Sequence, residues 1–199
     1  LIDVTFSDNT AASGGGMLVY HQSNPTLIGV TFSGNTAEDD NGGGMLIKLS
    51  SNPTLKNSIL WGNSPQEIYF YESSNPNSIT ITYSDIQGGE AGIVTNNNGT
   101  VYWLEGNIDA DPLFVDPENG DYILQAGSPC IDTGTASYDG IINLTEYDYV
   151  GTAPDMGAYE FGAVYGCNDP DACNIDENAN VDDGSCNIDD CLGVCDGTA

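Results

Sequence analysis

The chain has 199 residues, with 30 Asp plus Glu against two Lys, no Arg and one His, for a formal charge of −28 at pH 7. A surface of that sign repels phosphate backbones and anionic lipid headgroups, which argues against nucleic acid and membrane surfaces as partners. No apolar run approaches the roughly 18–20 residues of a spanning helix, yet 39% of residues are hydrophobic and patterned, so the acidity does not signal disorder.

The first residue is Leu1, and the last stretch is "CDGTA". The chain therefore reads as a piece of a longer protein, with any targeting segment removed or not included. From the start it repeats itself. "LIDVTFSDNTAA" opens at Leu1, "NPTLIGVTFSGNTA" at Asn24 and "NPTLKNSILWGNSP" at Asn52. Registers beginning at Leu1, Leu27, Leu55 and Ile81 lie 26, 28 and 26 residues apart. Val4, Val30, Ser58 and Ser84 form one column. Phe6, Phe32, Leu60 and Ile86 form the next. Asn9, Asn35 and Asn63 form a third, with Gly89 in the fourth place. A second strand follows each glycine run, so Met17 and Val19 match Met45 and Ile47.

Inward residues two apart specify strand, not helix. A fixed period in the range of 20–50 residues specifies a solenoid, in which each strand pairs in parallel with its copy one coil away. The interval is then one coil, and the kept residues are those that must stack. The asparagines stack as a ladder of side-chain amides inside a turn. The two extra residues of the second coil fall in "AEDDN" (37–41), where a turn tolerates them.

"NSILWGN", "ITYSDIQGG", "GNIDADPLFVDPENGDYILQAGSPCIDTG" and "DMGAYEF" resemble right-handed parallel β-helix proteins of the pectate-lyase-like superfamily. The likeness is closest to large secreted and surface proteins of Bacteroidota and related bacteria. It implies an all-β, right-handed parallel β-helix (solenoid) with a C-terminal cap over residues 1–162. The axis would run to a closed end near Phe161, with further coils upstream. Residues 163–199 would form a small disulfide-rich, Asp-rich module. They resemble short Cys/Asp modules near the C-termini of secreted marine bacterial proteins. A secreted or cell-surface location follows from both likenesses.

Five of six Cys lie between Cys167 and Cys195. That density in a short stretch points to disulfides in an oxidising compartment. The candidates are Cys167, Cys173, Cys186, Cys191 and Cys195, expected as two bridges with one thiol left over. Cys130 is expected inward, as a small apolar residue. Asp169, Asp171, Asp176, Asp182, Asp183 and Asp189 crowd the same tail. With little apolar core to fold around, the tail is held by disulfides, by calcium on these carboxylates, or by both. Solvated turns are the competing reading of the acids.

Catalysis has few candidates. A lyase of this superfamily needs a cationic base, and only Lys48 and Lys56 are present. A hydrolase needs grouped carboxylates, and the nearest are Glu38, Asp39 and Asp40 in one turn. His21 stands in a polar turn. "TASYDGIINLTE" (135–146) places Asp139, Gly140, Asn143 and Glu146 at EF-hand-like positions. Thr135 and Ser137 stand where acidic ligands belong, so it reads as a turn. In the second strand column, Leu18, Leu46 and Tyr69 should face outward, as should Tyr20, Lys48 and Tyr71. Tyr20, Trp61, Tyr69 and Tyr71 are the candidate contacts for a glycan or partner, unless a lateral loop from Gly88 to Trp103 covers them. The reading is a non-catalytic structural or adhesive segment, with polysaccharide or fibre-forming self-association as partners. The competing class is the C-terminal part of a polysaccharide lyase or glycoside hydrolase with its catalytic coils upstream.

Overall fold

The structure is a computed structural model that describes residues 1–39, 41–72, 74–137, 149–170 and 172–187. The first coil holds strands β1 (Ile2–Ser7), β2 (Thr10–Ala11) and β3 (Met17–Tyr20). The second holds β4 (Thr26–Ser33), β5 (Thr36–Ala37) and β6 (Met45–Lys48), and the third β7 (Thr54–Lys56), β8 (Ile59–Trp61) and β9 (Ile68–Phe70). The fourth opens with β10 (Asn77–Thr82) and β11 (Asp85–Ile86), and β12 (Gly99–Trp103) starts a last partial turn. Each strand pairs in parallel with its copy: Val4 with Val30, Leu27 with Leu55, Leu55 with Ile81, and Met17 with Met45. This is a β-solenoid of about four turns, and its coil interval is the one read from the sequence. The Phe6 and Phe32 rings stack with centroids 4.8 Å apart and 9° between planes. That separation is one strand spacing, so like residues stack along the axis.

Three corners turn the chain at each coil. Asp3, Gly29, Asn57 and Tyr83 hold positive φ at the first, and Asp8, Gly34, Gly62 and Gly88 at the second. The third uses pairs, His21–Gln22 and Leu49–Ser50. The left-handed residue aims the following N–H out of the strand ladder, and a buried N–H needs an acceptor. At successive coils these donors are met by side-chain oxygens of the next coil. At the first corner Val30 N–H donates to Ser58 Oγ (3.2 Å), Ser58 N–H to Ser84 Oγ (3.1 Å) and Ser84 N–H to Asn107 Oδ1 (3.0 Å). At the second, Asn9 N–H donates to Asn35 Oδ1 (3.1 Å) and Asn35 N–H to Asn63 Oδ1 (3.0 Å). The third runs from Ser23 N–H to Ser51 Oγ and from Ser51 N–H to Asn77 Oδ1.

The apolar interior follows the columns. Leu27, Val30, Phe32, Met45, Ile47, Leu55, Leu60, Phe70 and Ile81 are buried in one cluster. A second cluster lies outside the coils. Ile59 points outward from β8 and packs with Phe114, Tyr122, Leu124, Cys130 and Met156. These come from the antiparallel pair β13 (Phe114–Asp116) and β14 (Asp121–Leu124) and from the segment beyond it. The chain after Ile108 therefore returns along the flank. Ala158 N–H donates to Thr31 Oγ1 (3.0 Å), Gly157 N–H to the Asn57 carbonyl (2.8 Å), and Tyr122 O–H to Asp8 Oδ2 (3.3 Å).

This placement differs from a closed end near Phe161. The closing segment runs back beside the first coil, where Tyr159 and Glu160 share a small cavity with Ile2 and Asp3. It goes there because the outward row on this flank is apolar at Ile28 and Ile59, both buried. The stretch 88–103 is also not a lateral loop. Val94 bridges to Tyr69, and β12 pairs with β10 through Ile79 and Val101, so it completes a shorter coil. Leu46 points away from the interior yet is 0% exposed. Leu18 and Tyr69 flank it in register, and a Cβ on Gly14 would sit 3.2 Å from its own Cβ. Cys130 is buried, but in the outer cluster. The tail carries β15 (Tyr165–Gly166) paired with β16 (Val181–Asp182).

The glycine runs allow coils to touch backbone to backbone. A Cβ on Gly43 would collide with the Ser64 carbonyl oxygen of the next coil. Gly43→Ala is expected to cost about 1–3 kcal/mol, the range for overpacking. Urea unfolding checks it, and a loss well below that range would show that the two coils do not approach so closely.

Candidate functional site

The Asn ladder is the most polar feature of the interior. Asn9 Nδ2 donates to Asn35 Oδ1 (2.9 Å) and Asn35 Nδ2 to Asn63 Oδ1 (2.7 Å). The same Nδ2 groups reach strand carbonyls, Asn35 to Phe6 (2.8 Å) and Asn63 to Phe32 (2.9 Å). Gly89 does not take the fourth place. Glu67 does: its Oε1 accepts from Asn63 N–H (3.0 Å) and its Oε2 from Asn63 Nδ2. Glu67 is 5% exposed. Burial raises its pKa to about 7, and the hydrogen bonds from Asn63 only partly offset that.

Other carboxylates are desolvated on the covered flank. Asp85, raised to about 6 by burial, accepts from Ala110 N–H and from the Cys130 thiol, whose Sγ lies 3.2 Å away. Burial and that carboxylate push the Cys130 thiol well above its ordinary value, so it is a poor nucleophile. Glu160 is raised to about 8, by burial first and then by the charge of Asp155. Both brace the returning segment: Asp155 Oδ1 accepts from Asp132 N–H and Glu160 Oε1 from Asp155 N–H, each at 2.8 Å.

The four candidate contact aromatics do not form one platform. Tyr20 and Tyr71 are 50% and 44% exposed on the outer face of β3–β6–β9. Lys48 sits between them, its Nζ 5.6 Å from the Tyr20 centroid and 4.9 Å from that of Tyr71. Tyr69 shares that face and is partly buried beside Leu46. Trp61 lies on a different sheet, packed against the outer cluster. Lys56, although outward, is 8% exposed and lines a groove of about 730 Å³ with Thr26, Thr54, Thr80 and Glu105. Glu38 and Asp39 are exposed, as is His21, whose ring is 5.9 Å from that of Tyr20. Asp40 lies outside the described residues, as do Asp139, Gly140, Asn143 and Glu146 of the EF-hand-like loop. The Asn98 amide, in a glycosylation-type sequon, donates to the Tyr71 carbonyl at 2.7 Å.

In the tail, Cys167 and Cys186 form a disulfide and Cys173 is disulfide-bonded as well. Cys191 and Cys195 lie outside the described residues, as do Asp171 and Asp189. Three of the remaining carboxylates close their own turns. Asp176 Oδ1 accepts from Asn178 N–H (2.9 Å), Asp182 Oδ1 from Gly184 N–H (3.0 Å) and Asp183 Oδ1 from Ser185 N–H (2.9 Å). Asp169 is partly buried. Among the described residues, no three Asp, Glu, His or Cys side chains converge as a metal site would require.

The family model for the right-handed β-helix region matches residues 2–129. With the stacked parallel coils, this places the chain in the right-handed β-helix family. Searches of curated proteins and of solved structures found no match.

Glu67 makes stability depend on pH with a definite sign. A carboxyl whose folded pKa is raised favours the folded state while protonated. Its contribution is fully present below its ordinary value of 4.5 and is lost as pH rises through about 7. Glu67→Gln should therefore gain stability relative to the parent between pH 5 and pH 8. Thermal melts of both proteins across that window check it. A pH-independent difference would mean that Glu67 titrates normally.

Proposed function

We propose that this chain is a non-catalytic, extracellular structural or adhesive β-helix segment of a cell-surface or filament protein that contacts glycans. The observation that carries the reading is the Tyr20–Lys48–Tyr71 row on the outer face of a ladder-braced solenoid. Two exposed rings one coil apart from a shared cation offer stacking surfaces for sugar, held on a rigid sheet. The resemblance to secreted surface proteins and the disulfide-bonded tail support a secreted or cell-surface location. Polysaccharide is the first partner, and self-association into a fibre the second. Calcium remains a proposed stabiliser of the tail. Of the described carboxylates, Asp176, Asp182 and Asp183 fit it poorly, because each accepts from a backbone N–H of its own turn.

One observation favours the carbohydrate-active alternative, the C-terminal part of a pectate-lyase-like enzyme. Lys56 and Glu105 line one groove over the threonine row, a cation and a carboxylate beside hydroxyls. Incubating the whole chain with uronate polymers and calcium tests it. No unsaturated ends and no new reducing ends are expected. Turnover that Lys56→Ala removes would overturn the non-catalytic reading. In the same preparation, Tyr20→Ala and Tyr71→Ala should each weaken retention on immobilised polysaccharide. A third measurement addresses the tail: thermal melts with and without chelator. A lower melting temperature on chelation supports calcium, and unchanged melts with no calcium uptake by calorimetry dismiss it.

A further inference from the structure

A cavity of about 140 Å³ lies where three parts of the chain meet: the first coil, the returning segment and the tail. Each part brings acids to it. Asp3 comes from the first coil, Asp155, Tyr159 and Glu160 from the returning segment, and Tyr165 and Asp182 from the tail. Among the described residues no Lys, Arg or His lines it. The Leu1 α-ammonium, two residues from Asp3, donates to the Thr26 carbonyl on the adjoining coil. Asp3 and Asp182 stand exposed at the rim, Glu160 is half-buried, and Asp155 is 3% exposed.

Glu160 is the central group of this joint. Its Oε1 accepts from Asp155 N–H at 2.8 Å and its Oε2 from Val150 N–H at 3.4 Å. Its own N–H donates to the Tyr165 hydroxyl at 3.4 Å. Asp155 Oδ2 accepts in return from Phe161 N–H at 2.6 Å. The two carboxylates tie 155–161 into a closed loop, which docks on the solenoid at Thr31 and Asn57. The tail leaves directly from that loop, where Asn180 Nδ2 donates to the Gly162 carbonyl and Val164 N–H to Asn180 Oδ1. One proton sets the charge in this space. With Glu160 protonated, on the loosely held Oε2, Asp155 is the one charge inside. With Glu160 ionised, two desolvated charges share the loop, with Asp3 and Asp182 in front and Asp132 behind Asp155. Burial first, and then the Asp155 charge, raise the Glu160 pKa to about 8.

We infer that this joint is a pH-sensitive latch, in which protonated Glu160 seats the tail against the first coil and its ionisation loosens residues 159–166 and the tail while the coils stay folded. The latch goes beyond the glycan-contacting reading and does not depend on it. A carboxyl whose pKa is raised in the closed joint favours the closed joint while protonated. Its contribution is fully present below the ordinary value of 4.5 and is lost as pH rises through about 8.

The test is hydrogen–deuterium exchange of the whole chain between pH 6 and pH 10, read by mass spectrometry. Amides of 159–166 and of β16 report the joint, and those of β4 and β6 report the coils. With the ordinary base catalysis of exchange divided out, the opening constant of the joint should rise about tenfold per pH unit above pH 8. The coil amides should stay protected. Glu160→Gln, the neutral analogue, should remove that pH dependence from the joint. Asp3→Asn, at a left-handed position that Asn tolerates, removes a facing charge and should move the onset of opening to higher pH. It decides the matter if Glu160→Gln proves unfolded. Four results would each overturn the inference: a joint that stays closed at pH 10, coil amides that open together with the joint, a pH dependence that survives in folded Glu160→Gln, or, where that variant is unfolded, an unshifted onset in Asp3→Asn.

Discussion

A chain that winds into a solenoid must turn at every corner, and each turn directs a backbone N–H away from the strand ladder into a space that water does not reach. Leaving one such donor unmet costs about 1–3 kcal/mol. Here the donors are met by side-chain oxygens, from the following coil at Ser58, Ser84 and Asn107 on one corner and at Asn35 and Asn63 on another, where Glu67 of the same coil ends the row. The acceptor must arrive at one fixed place per coil. That requirement sets the register, and the register stacks the apolar columns. Phe6 over Phe32 and Leu27 over Leu55 follow from the corners as much as from hydrophobic burial.

The same rule shapes the outside. Residues flanking an inward column point outward, so their character decides which flank is covered. Where they are Ile28, Thr31 and Ile59, the returning segment packs on them and builds a second core. Where they are Tyr20, Lys48 and Tyr71, the face stays open. Desolvated carboxylates such as Asp85 and Glu160 gather under the covered flank.

The coils were legible in the amino-acid sequence because their period is local and repeated. Columns as regular as Asn9, Asn35 and Asn63 need no tertiary information to align. Glu67 was missed because it ends the ladder from four residues further along its own coil, where no repeat marks it. The returning segment has no period of its own in the sequence, and the outward row of Ile28, Thr31 and Ile59 determines where it docks. Trp61 was grouped with Tyr20, Tyr69 and Tyr71 by residue type. The corner at Gly62 instead leaves it on another face. A signal was available for that: Trp61 adjoins the Asn63 corner, whereas Tyr20 follows a glycine run and Tyr69 falls in the matching strand of the third coil.

A double-mutant cycle on Asn35 and Asn63 tests the corner ladder most directly. Asn35→Ala, Asn63→Ala and the double variant would be unfolded in urea, alongside a second cycle pairing Asn35 with Ser84 on a different corner. Residues in one hydrogen-bond network couple by about 0.5–3 kcal/mol, while separate sites add within roughly 0.3–0.5 kcal/mol. Coupling in the Asn35–Asn63 cycle and additivity in the Asn35–Ser84 cycle is the result predicted by a side-chain ladder running from coil to coil. Additivity in both cycles would contradict it.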